Sequence, residues 1–180
     1  MTTPQVTGEA SLDNSFLGET MQVCVVTRDF RKTMAGLTKT GIGPWRVYTF
    51  GPDTVTDLTY RGQPGRYSMK LCIAFSGSMM WEIVQPVEGP NIYEEFLEAH
   101  GEGIHHVAFD CNGMAWNERI AMLESRGFAM IQSGRWQGKV PYAYFETEGE
   151  TTTTFETFEI PADFVMPEPE EWYPGPPPGT

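Results

Sequence analysis

Short apolar stretches recur along the chain, and their alternation with polar residues predicts β-strands. The first stretch, from Met21 to Val26, is β-branched and apolar, as strands favour. Asp29 is then a suitable N-cap for an amphipathic helix that Gly41 terminates. Three further strand candidates follow, at residues 44–50, 69–75 and 79–84. The first half of the chain therefore has the predicted order β-α-β-β-β.

The same order of elements returns in the second half. A linking helix is predicted over residues 90–100, where three apolar residues share one face. A strand is predicted at residues 104–110 and a helix at residues 116–126, and three more strands are predicted at residues 128–132, 141–146 and 152–160. Two β-α-β-β-β units in tandem predict an α+β fold, in which a curved mixed sheet encloses a cavity shared by both halves.

The two ends of the chain lack this pattern. Residues 1–18 are polar and aperiodic, which predicts a flexible arm. Residues 162–180 are rich in Pro and Glu, and proline removes backbone donors that a helix or a central strand needs. They predict an extended tail, whose aromatic residues dock on the body or on a partner chain. The folded domain is thus predicted over residues 19–161, with halves at about 19–86 and 103–161.

Composition and charge limit the possible partners. The 180 residues suffice for one domain, and 40% of them are hydrophobic, so a sizeable core is expected. The formal net charge of −12 repels phosphate backbones and argues against nucleic acid. No apolar run approaches the roughly 18 residues of a membrane span, and the N-terminus lacks a secretory signal pattern. The three cysteines form neither a disulfide framework nor a zinc-finger pattern, so we expect a cytoplasmic protein. With nucleic acid and membranes excluded, a small molecule is the expected partner.

Four polar residues stand at matching places in the two halves. Glu82 and Glu156 each lie within the last strand of their half, and Gln22 and His106 each lie near the start of the first strand. Either glutamate alone could face solvent or pair with a lysine, and His106 alone could be a hydrogen-bonded core residue. Isolated carboxylates in a half-buried sheet are costly unless a positive group compensates them. As a set, the four side chains predict that one metal ion binds between the halves.

At these residues the chain resembles the vicinal oxygen chelate superfamily, which includes glyoxalase I, methylmalonyl-CoA epimerase, extradiol dioxygenases and bleomycin or fosfomycin resistance proteins. Residues 82–86 (EIVQP) and 96–109 (FLEAHGEGIHHVAF) are similar to the epimerase family. The order of elements is similar to that of the superfamily over residues 20–161. The resemblance implies a single domain built from two related halves around one metal ion.

The resemblance also implies which residues hold the metal ion. The superfamily has one ligand on the first and fourth strands of each half, which here are Gln22, Glu82, His106 and Glu156. His106 is preferred to His105 because it precedes Val-Ala as Gln22 precedes Val-Cys. Epimerases usually have His at the position of Gln22, so this ligand set is more similar to that of eukaryotic glyoxalase I.

A metal-assisted proton transfer follows from this ligand set. One nitrogen and three oxygen donors suit a single divalent ion such as Zn, Co, Ni, Mn or Fe. The ion stabilises charge on a carbonyl oxygen when a proton leaves the adjacent carbon, and the resemblance implies Glu156 as the base. Epimerases carry a second acid on the third strand, where residues 69–75 contain none. Depending on the register, Lys70 or Cys72 falls nearest that place and is the candidate second proton carrier.

Aromatic residues on or beside the predicted cavity strands indicate the kind of substrate. Most of them are expected to belong to the core. A few in the cavity would favour a flat or apolar substrate over a thioester with a nucleotide tail. The candidate substrate-binding residues are Trp45, Tyr48, Trp81, Trp136 and Tyr144, and Tyr142 and Phe158 also lie on or beside these strands.

Three functions are compatible with these residues. The first is a metal-dependent isomerase, epimerase, racemase or lyase that shifts a proton next to a carbonyl of a small, aromatic or specialised metabolite. The second is an Fe(II) extradiol-type dioxygenase, against which Gln22 counts because that chemistry normally uses two His and one Glu. The third is a metal-free binding or resistance protein on the same scaffold. Members of the superfamily often dimerise, so a homodimer is expected.

Overall fold

The computed structural model describes residues 16–178 of the chain. These residues form one mixed β-sheet with helices packed against it. Its strands are β1 (Thr20–Val26), β2 (Trp45–Phe50), β3 (Val55–Tyr60), β4 (Gln63–Pro64), β5 (Ser68–Ser76), β6 (Met79–Glu88), β7 (Gly103–Phe109), β8 (Met130–Trp136), β9 (Val140–Phe145), β10 (Thr154–Phe158) and β11 (Glu171–Tyr173). Its helices are α1 (Phe30–Lys39), α2 (Ile92–His100), α3 (Trp116–Ser125) and α4 (Glu148–Thr151). Most of the predicted N-terminal arm, residues 1–15, lies outside the described residues.

The two halves of the sheet have the same topology. The strand order is β11-β2-β5-β6-β1-β7-β10-β9-β8-β3-β4. In the first half β1 lies parallel to β6, and in the second half β7 lies parallel to β10. The halves meet where β1 and β7 pair in an antiparallel manner. The predicted α+β fold, with tandem βαβββ units in a curved mixed sheet, is therefore confirmed.

The first two helices begin and end at residues that the sequence marks. The Asp29 side chain caps α1 by accepting a hydrogen bond from the backbone N–H of Lys32 at 3.0 Å. Gly41, with a φ of +95°, follows the last turn, where a side chain would strain the backbone. Asn91 caps α2 by accepting from the N–H of Tyr93 at 3.1 Å. Within residues 16–178, no helix combines the length and apolar character needed to cross a membrane.

Three strands of the sheet, β3, β4 and β11, were not predicted from the sequence pattern. β3 pairs in an antiparallel manner with β8, so a strand from the first half extends the second half. β11, from the Pro- and Glu-rich tail, pairs with β2 at one edge of the sheet. Proline restricts such a segment to an edge, and its docking protects β2 from pairing with another chain.

Ion pairs also connect the tail to the first half of the domain. Arg31 donates two hydrogen bonds to Glu171, at 2.9 and 2.7 Å, and Lys70 donates one to Glu170 at 2.7 Å. Exposed pairs of this kind stabilise a protein by about 0–1 kcal/mol each. The docking of the tail therefore depends on several contacts together rather than on any one of them.

The two faces of the sheet carry different side chains, because successive residues of a strand point to opposite faces. The face toward α1 holds a buried cluster of Met34, Trp45, Val47, Cys72, Ala74 and Ile83. The concave face holds a larger cluster that includes Tyr48, Phe50, Leu71, Ile73, Trp136, Tyr142, Tyr144 and Phe158. Neighbouring residues on one strand therefore lie in different environments, and this decides which of them can reach the cavity.

Candidate metal centre

The structure brings together the side chains of Gln22, Glu82, His106 and Glu156. The Gln22 Nε2 atom lies 3.1 Å from the Glu82 Oε2, 3.1 Å from the Glu156 Oε2 and 3.2 Å from the His106 Nε2. All four residues are at most 5% exposed. Residues that are up to 134 positions apart in the sequence thus meet at one point.

The pairing of the four central strands explains this meeting. β6, β1, β7 and β10 are neighbours, and each contributes one of the four side chains. Cys24 on β1 pairs with both Glu82 and His106, and Ala108 on β7 pairs with both Gln22 and Glu156. The four side chains therefore flank the junction between the two halves, as the repeated topology requires.

The charges in this cluster are strongly coupled. The His106 Nε2 lies 3.3 Å from the Glu82 Oε2 and 3.1 Å from the Glu156 Oε2. Burial alone would lower the pKa of His106, but the two carboxylates outweigh burial and raise it to about 9. Burial raises the pKa of Glu156, although the nearby His106 opposes that change. Without a metal ion, a protonated His106 therefore compensates the two buried carboxylates at neutral pH.

The donor atoms of this cluster fit a divalent ion. They comprise one imidazole nitrogen, two carboxylates and one amide, and they are directed at a common centre. The Gln22 amide donates to the carboxylates here, and rotating it about its last side-chain bond would present its oxygen instead. Such mixed nitrogen and oxygen donors suit Zn, Co, Ni, Mn or Fe.

Cys24 lies beside the cluster and is not among the residues predicted from the sequence to bind a metal ion. Its sulfur, an oxygen of Glu82 and a ring nitrogen of His106 all lie within 4.8 Å of one another. Burial raises the pKa of the Cys24 thiol well above its usual value, and the carboxylate of Glu82 adds to this effect. The thiol is therefore protonated at neutral pH. Its position two residues after Gln22 on the same strand was the available signal, because i and i+2 share a face.

His105 is a second residue that the sequence did not place at the cluster. The pairing of β1 with β7 skips it, since Cys24 pairs with His106 and Val25 pairs with Ile104. The Nδ1 atoms of His105 and His106 lie 2.7 Å apart. Burial lowers the pKa of His105 well below its usual value, and the neighbouring His106 adds to this effect. Regular strand alternation would instead have placed His105 on the opposite face.

Tyr144 connects the cluster to the wall of the cavity. Its ring meets the His106 ring edge-on, with 4.9 Å between the centroids. Its hydroxyl lies 2.9 Å from the Tyr93 hydroxyl, and its interaction with the Glu156 carboxylate opposes the rise in the pKa of Glu156 that burial causes. Outside the cluster, Glu82 has Cys24 as a buried neighbour, His106 has His105, and Glu156 has Tyr144.

An apolar cavity lies over the cluster on the concave face. Gln22, Glu82 and Glu156 line it, and most of its other walls are apolar or aromatic, including Phe50, Leu71, Trp136, Tyr142, Phe158 and Phe164. None of the described residues that line it is a lysine or an arginine. Its free volume is about 60 Å³, which is space for a few water molecules. Phe164 and Met166 of the tail also line it.

Gly134 leaves the space that Tyr142 needs in this wall. A Cβ at Gly134 would lie 2.5 Å from the Tyr142 Oη and 2.8 Å from the Val55 Cγ1. We expect Gly134→Ala to destabilise the fold by about 1–3 kcal/mol, because packed rings must shift, and to lower the Tm. Gly36→Ala is the matched control, since its Cβ would meet nothing within 4 Å, and should not lower the Tm. An unchanged Tm for Gly134→Ala would contradict the close packing.

Two of the predicted catalytic residues do not lie at the cluster. The Lys70 Nζ binds the Thr49 Oγ1 and the Glu170 Oε2, both at 2.7 Å, away from the cavity. Cys72 is buried in the cluster that faces α1. The side chains that β5 presents to the cavity are those of Met69, Leu71 and Ile73. The register of β5 therefore corrects the expectation that Lys70 or Cys72 occupies the place of a second acid.

The predicted substrate-binding aromatics divide between the two faces of the sheet. Trp136 and Tyr144 line the cavity, as do Tyr142 and Phe158. Tyr48 belongs to the concave cluster, where it packs against Trp136 and its hydroxyl donates to the Pro167 carbonyl at 3.0 Å. Trp45 and Trp81 lie on the other face, packed in the cluster toward α1. The structure therefore does not place Trp45 or Trp81 in contact with the cavity.

The fold and the cluster together define a vicinal oxygen chelate protein, with two related halves around a set of metal-binding residue types. The chain belongs to the glyoxalase/bleomycin resistance protein/dioxygenase superfamily, whose family model matches residues 21–144. This superfamily includes epimerases, glyoxalases and dioxygenases, and its members typically bind a divalent metal ion.

Solved structures share the fold at low sequence identity. A methylmalonyl-CoA epimerase from Mycobacterium tuberculosis matches with a TM-score of 0.60 and 14% identity, over 83% of this chain and 93% of that one. The hypothetical protein BH1468 from Bacillus halodurans matches with a TM-score of 0.57 and 16% identity, over 82% and 98%. At these identities the likeness is one of fold alone.

A curated relative matches a shorter stretch of the chain. The uncharacterised protein YqjC of Bacillus subtilis is 30% identical over 88 residues, which are 48% of this chain and 61% of that protein. The match therefore spans about three fifths of that relative's length.

Proposed function

We propose that this chain is a divalent metal-dependent isomerase, epimerase, racemase or related lyase that moves a proton next to a carbonyl group of a small metabolite. The observation that carries the proposal is the meeting of Gln22, Glu82, Glu156 and the fully buried His106 beneath an apolar cavity, which the first three line. When bound by these residues, a divalent ion would act as a Lewis acid toward the substrate carbonyl.

Glu156 is the proposed base. It lines the cavity, so its carboxylate can reach a substrate carbon that lies over the cluster. Burial raises its pKa, and a carboxylate with a raised pKa takes a proton from carbon more readily than an ordinary one does. The Gln22 amide, which donates a hydrogen bond to Glu156 at 3.1 Å, holds the carboxylate in place.

Glu82 is the proposed second proton carrier for an isomerase or epimerase. Glu82 lines the cavity together with Gln22 and Glu156, so it is a second carboxylate that a substrate can reach. The strand β5, where a further acid was expected, presents apolar side chains there. Glu82 and Glu156 occupy equivalent strands of the two halves and flank Gln22 at equal distances of 3.1 Å. The two carboxylates can therefore exchange protons with different sides of a substrate that binds between them.

The proposed substrate is a small carbonyl compound with an apolar or aromatic body. The aromatic walls would bind such a body, and the polar contacts lie together at the cavity floor. One solved epimerase of this fold is in complex with methylmalonyl-CoA and NH4+. Since no lysine or arginine of the described residues lines this cavity, we do not extend a nucleotide-tailed substrate to this chain.

Metal analysis and isotope exchange test the proposal together. We expect purified, untagged protein to hold about one divalent ion per chain. Loaded with Zn, Co, Ni, Mn or Fe(II) in turn, it should exchange deuterium from solvent into the carbon next to the carbonyl of apolar α-hydroxy-carbonyl or 2-substituted acyl compounds, followed by NMR. Protein without stoichiometric metal, and with no affinity for these ions, would instead favour the binding-protein hypothesis. Oxygen uptake with a catechol would favour the dioxygenase hypothesis, which has less support because the cluster offers a single imidazole, that of His106.

A further inference from the structure

The β-bulge in β7 places two histidine rings side by side. Cys24 and Val25 of β1 pair with His106 and Ile104, so His105 is the extra residue on β7. Its neighbour Ile104 is 59% exposed, whereas His105 and His106 are both buried, at 4% and 0% exposure. The bulge therefore turns His105 inward, next to His106, where an unbroken strand would turn it away.

The contact between the two rings involves the nitrogen of His106 that faces away from the cluster. The His106 Nε2 faces Glu82, Glu156 and Gln22, while its Nδ1 lies 2.7 Å from the Nδ1 of His105. Two neighbouring ring nitrogens form a hydrogen bond only when one carries the proton and the other accepts it. If the His106 Nε2 is to bind a cation, its own proton must be on Nδ1, and the His105 Nδ1 must be the acceptor.

The surroundings hold the His105 ring in this orientation. The ring meets Tyr93 and Phe96 of α2 edge-on, with centroid separations of 5.4 and 5.0 Å. On its other side His105 borders a second pocket, separate from the apolar cavity, which His100 and Glu148 also line. His105 is thus fixed between α2 and β7 and contacts His106 without lining the apolar cavity.

We propose that His105 is a positioning residue, which fixes the ring angle of His106 and keeps its proton on Nδ1, so that Nε2 is free for a metal ion. The proposal rests on the metal site of the proposed function. Hydrogen-bond partners of this kind, placed behind a metal ligand, typically change metal affinity 10- to 100-fold when they are removed. The bulge brings His105 into contact with the His106 ring, so His105 affects the binding of the metal ion and does not contact the substrate.

Two substitutions at His105 and one control test the proposal. His105→Phe keeps a ring of similar size but removes the acceptor, and should weaken Co²⁺ or Zn²⁺ binding about 10- to 100-fold in a competition titration with a chelator. His105→Asn keeps an acceptor near the position of Nδ1 and should retain most of the affinity. His100→Gln changes the other histidine of the second pocket, which has no contact with His106, and should bind metal as the parent does. Equal affinity of His105→Phe and the parent, or an equal loss in His105→Phe and His105→Asn, would overturn the proposal.

NMR of the metal-free chain tests the positioning role of His105 separately from the proposed metal-dependent function. In the parent and in His105→Asn, the ring proton on the His106 Nδ1 should be shifted downfield and protected from exchange with water. In His105→Phe this signal should be lost, while Tm confirms that the chain is folded. A parent chain without such a proton would refute the positioning role even if metal binds. A parent that shows it but binds no metal would leave the ring contact intact and refute the proposed function.

Discussion

Replacing Glu156 by Gln is expected to reduce turnover by a factor of about 100 to 10,000, the usual contribution of a positioned general base. The amide of glutamine has the size of the carboxylate, and its oxygen can still bind a metal ion, but it cannot accept a proton from carbon. Deuterium exchange into the substrate should fall by the same factor as turnover. Metal content should stay near that of the parent, because one oxygen donor remains.

Glu150→Gln is the matched control for this substitution. It removes the same charge from an exposed position near β10, so its turnover and exchange rates should equal those of the parent. Loss of metal from Glu156→Gln would assign Glu156 a ligand role without identifying a base. Full activity of a metal-loaded Glu156→Gln chain would contradict its role as the base.

The affinity for a metal ion should rise steeply with pH. The two carboxylates raise the pKa of His106 to about 9 in the metal-free chain, so at neutral pH a metal ion must displace its proton. Displacement of one proton makes the affinity rise about tenfold per pH unit below that pKa, or about 100-fold between pH 6 and pH 8. Competition titrations at three pH values measure this rise, and calorimetry in two buffers of different ionisation enthalpy counts the proton released. Affinity that does not vary with pH would show that His106 is not protonated in the metal-free chain.

The raised pKa of His106 also makes the stability of the metal-free chain depend on pH. The folded-state pKa of His106 lies above its ordinary value of 6.5, so folding favours the protonated form. This stabilisation is complete below pH 6.5 and is lost as the pH rises toward 9. The Tm of metal-free protein should therefore fall across that interval, whereas the metal-loaded protein should show no such fall from His106.

The order of elements and the four clustered residues could be predicted from the sequence, because both follow from repetition. Gln22 and His106 lie in equivalent first strands, and Glu82 and Glu156 lie in equivalent last strands, so a fold that superposes the halves brings them together. That each of them binds a metal ion stays a prediction, as do the homodimer and the cytoplasmic location.

The register of individual strands could not be predicted in this way. On β5, shifting the pairing by one residue exchanges Cys72 for Ile73 at the cavity, and the apolar stretch allows either. The same uncertainty placed Trp45 among the cavity residues, although β2 turns it toward α1. The bulge at His105 is also invisible in the sequence, because nothing in IHHVAF interrupts the strand pattern.

The tail has a consequence for how fast a substrate can arrive. Cavities that bind drug-sized molecules usually have volumes of roughly 300–1,000 Å³, whereas this one has a free volume of about 60 Å³. A larger molecule would fit only if side chains that line the cavity moved, and two of these, Phe164 and Met166, belong to the tail. Under the proposed function, we therefore expect the rate of substrate binding to depend on how firmly β11 and the ion pairs of Glu170 and Glu171 hold the adjoining segment.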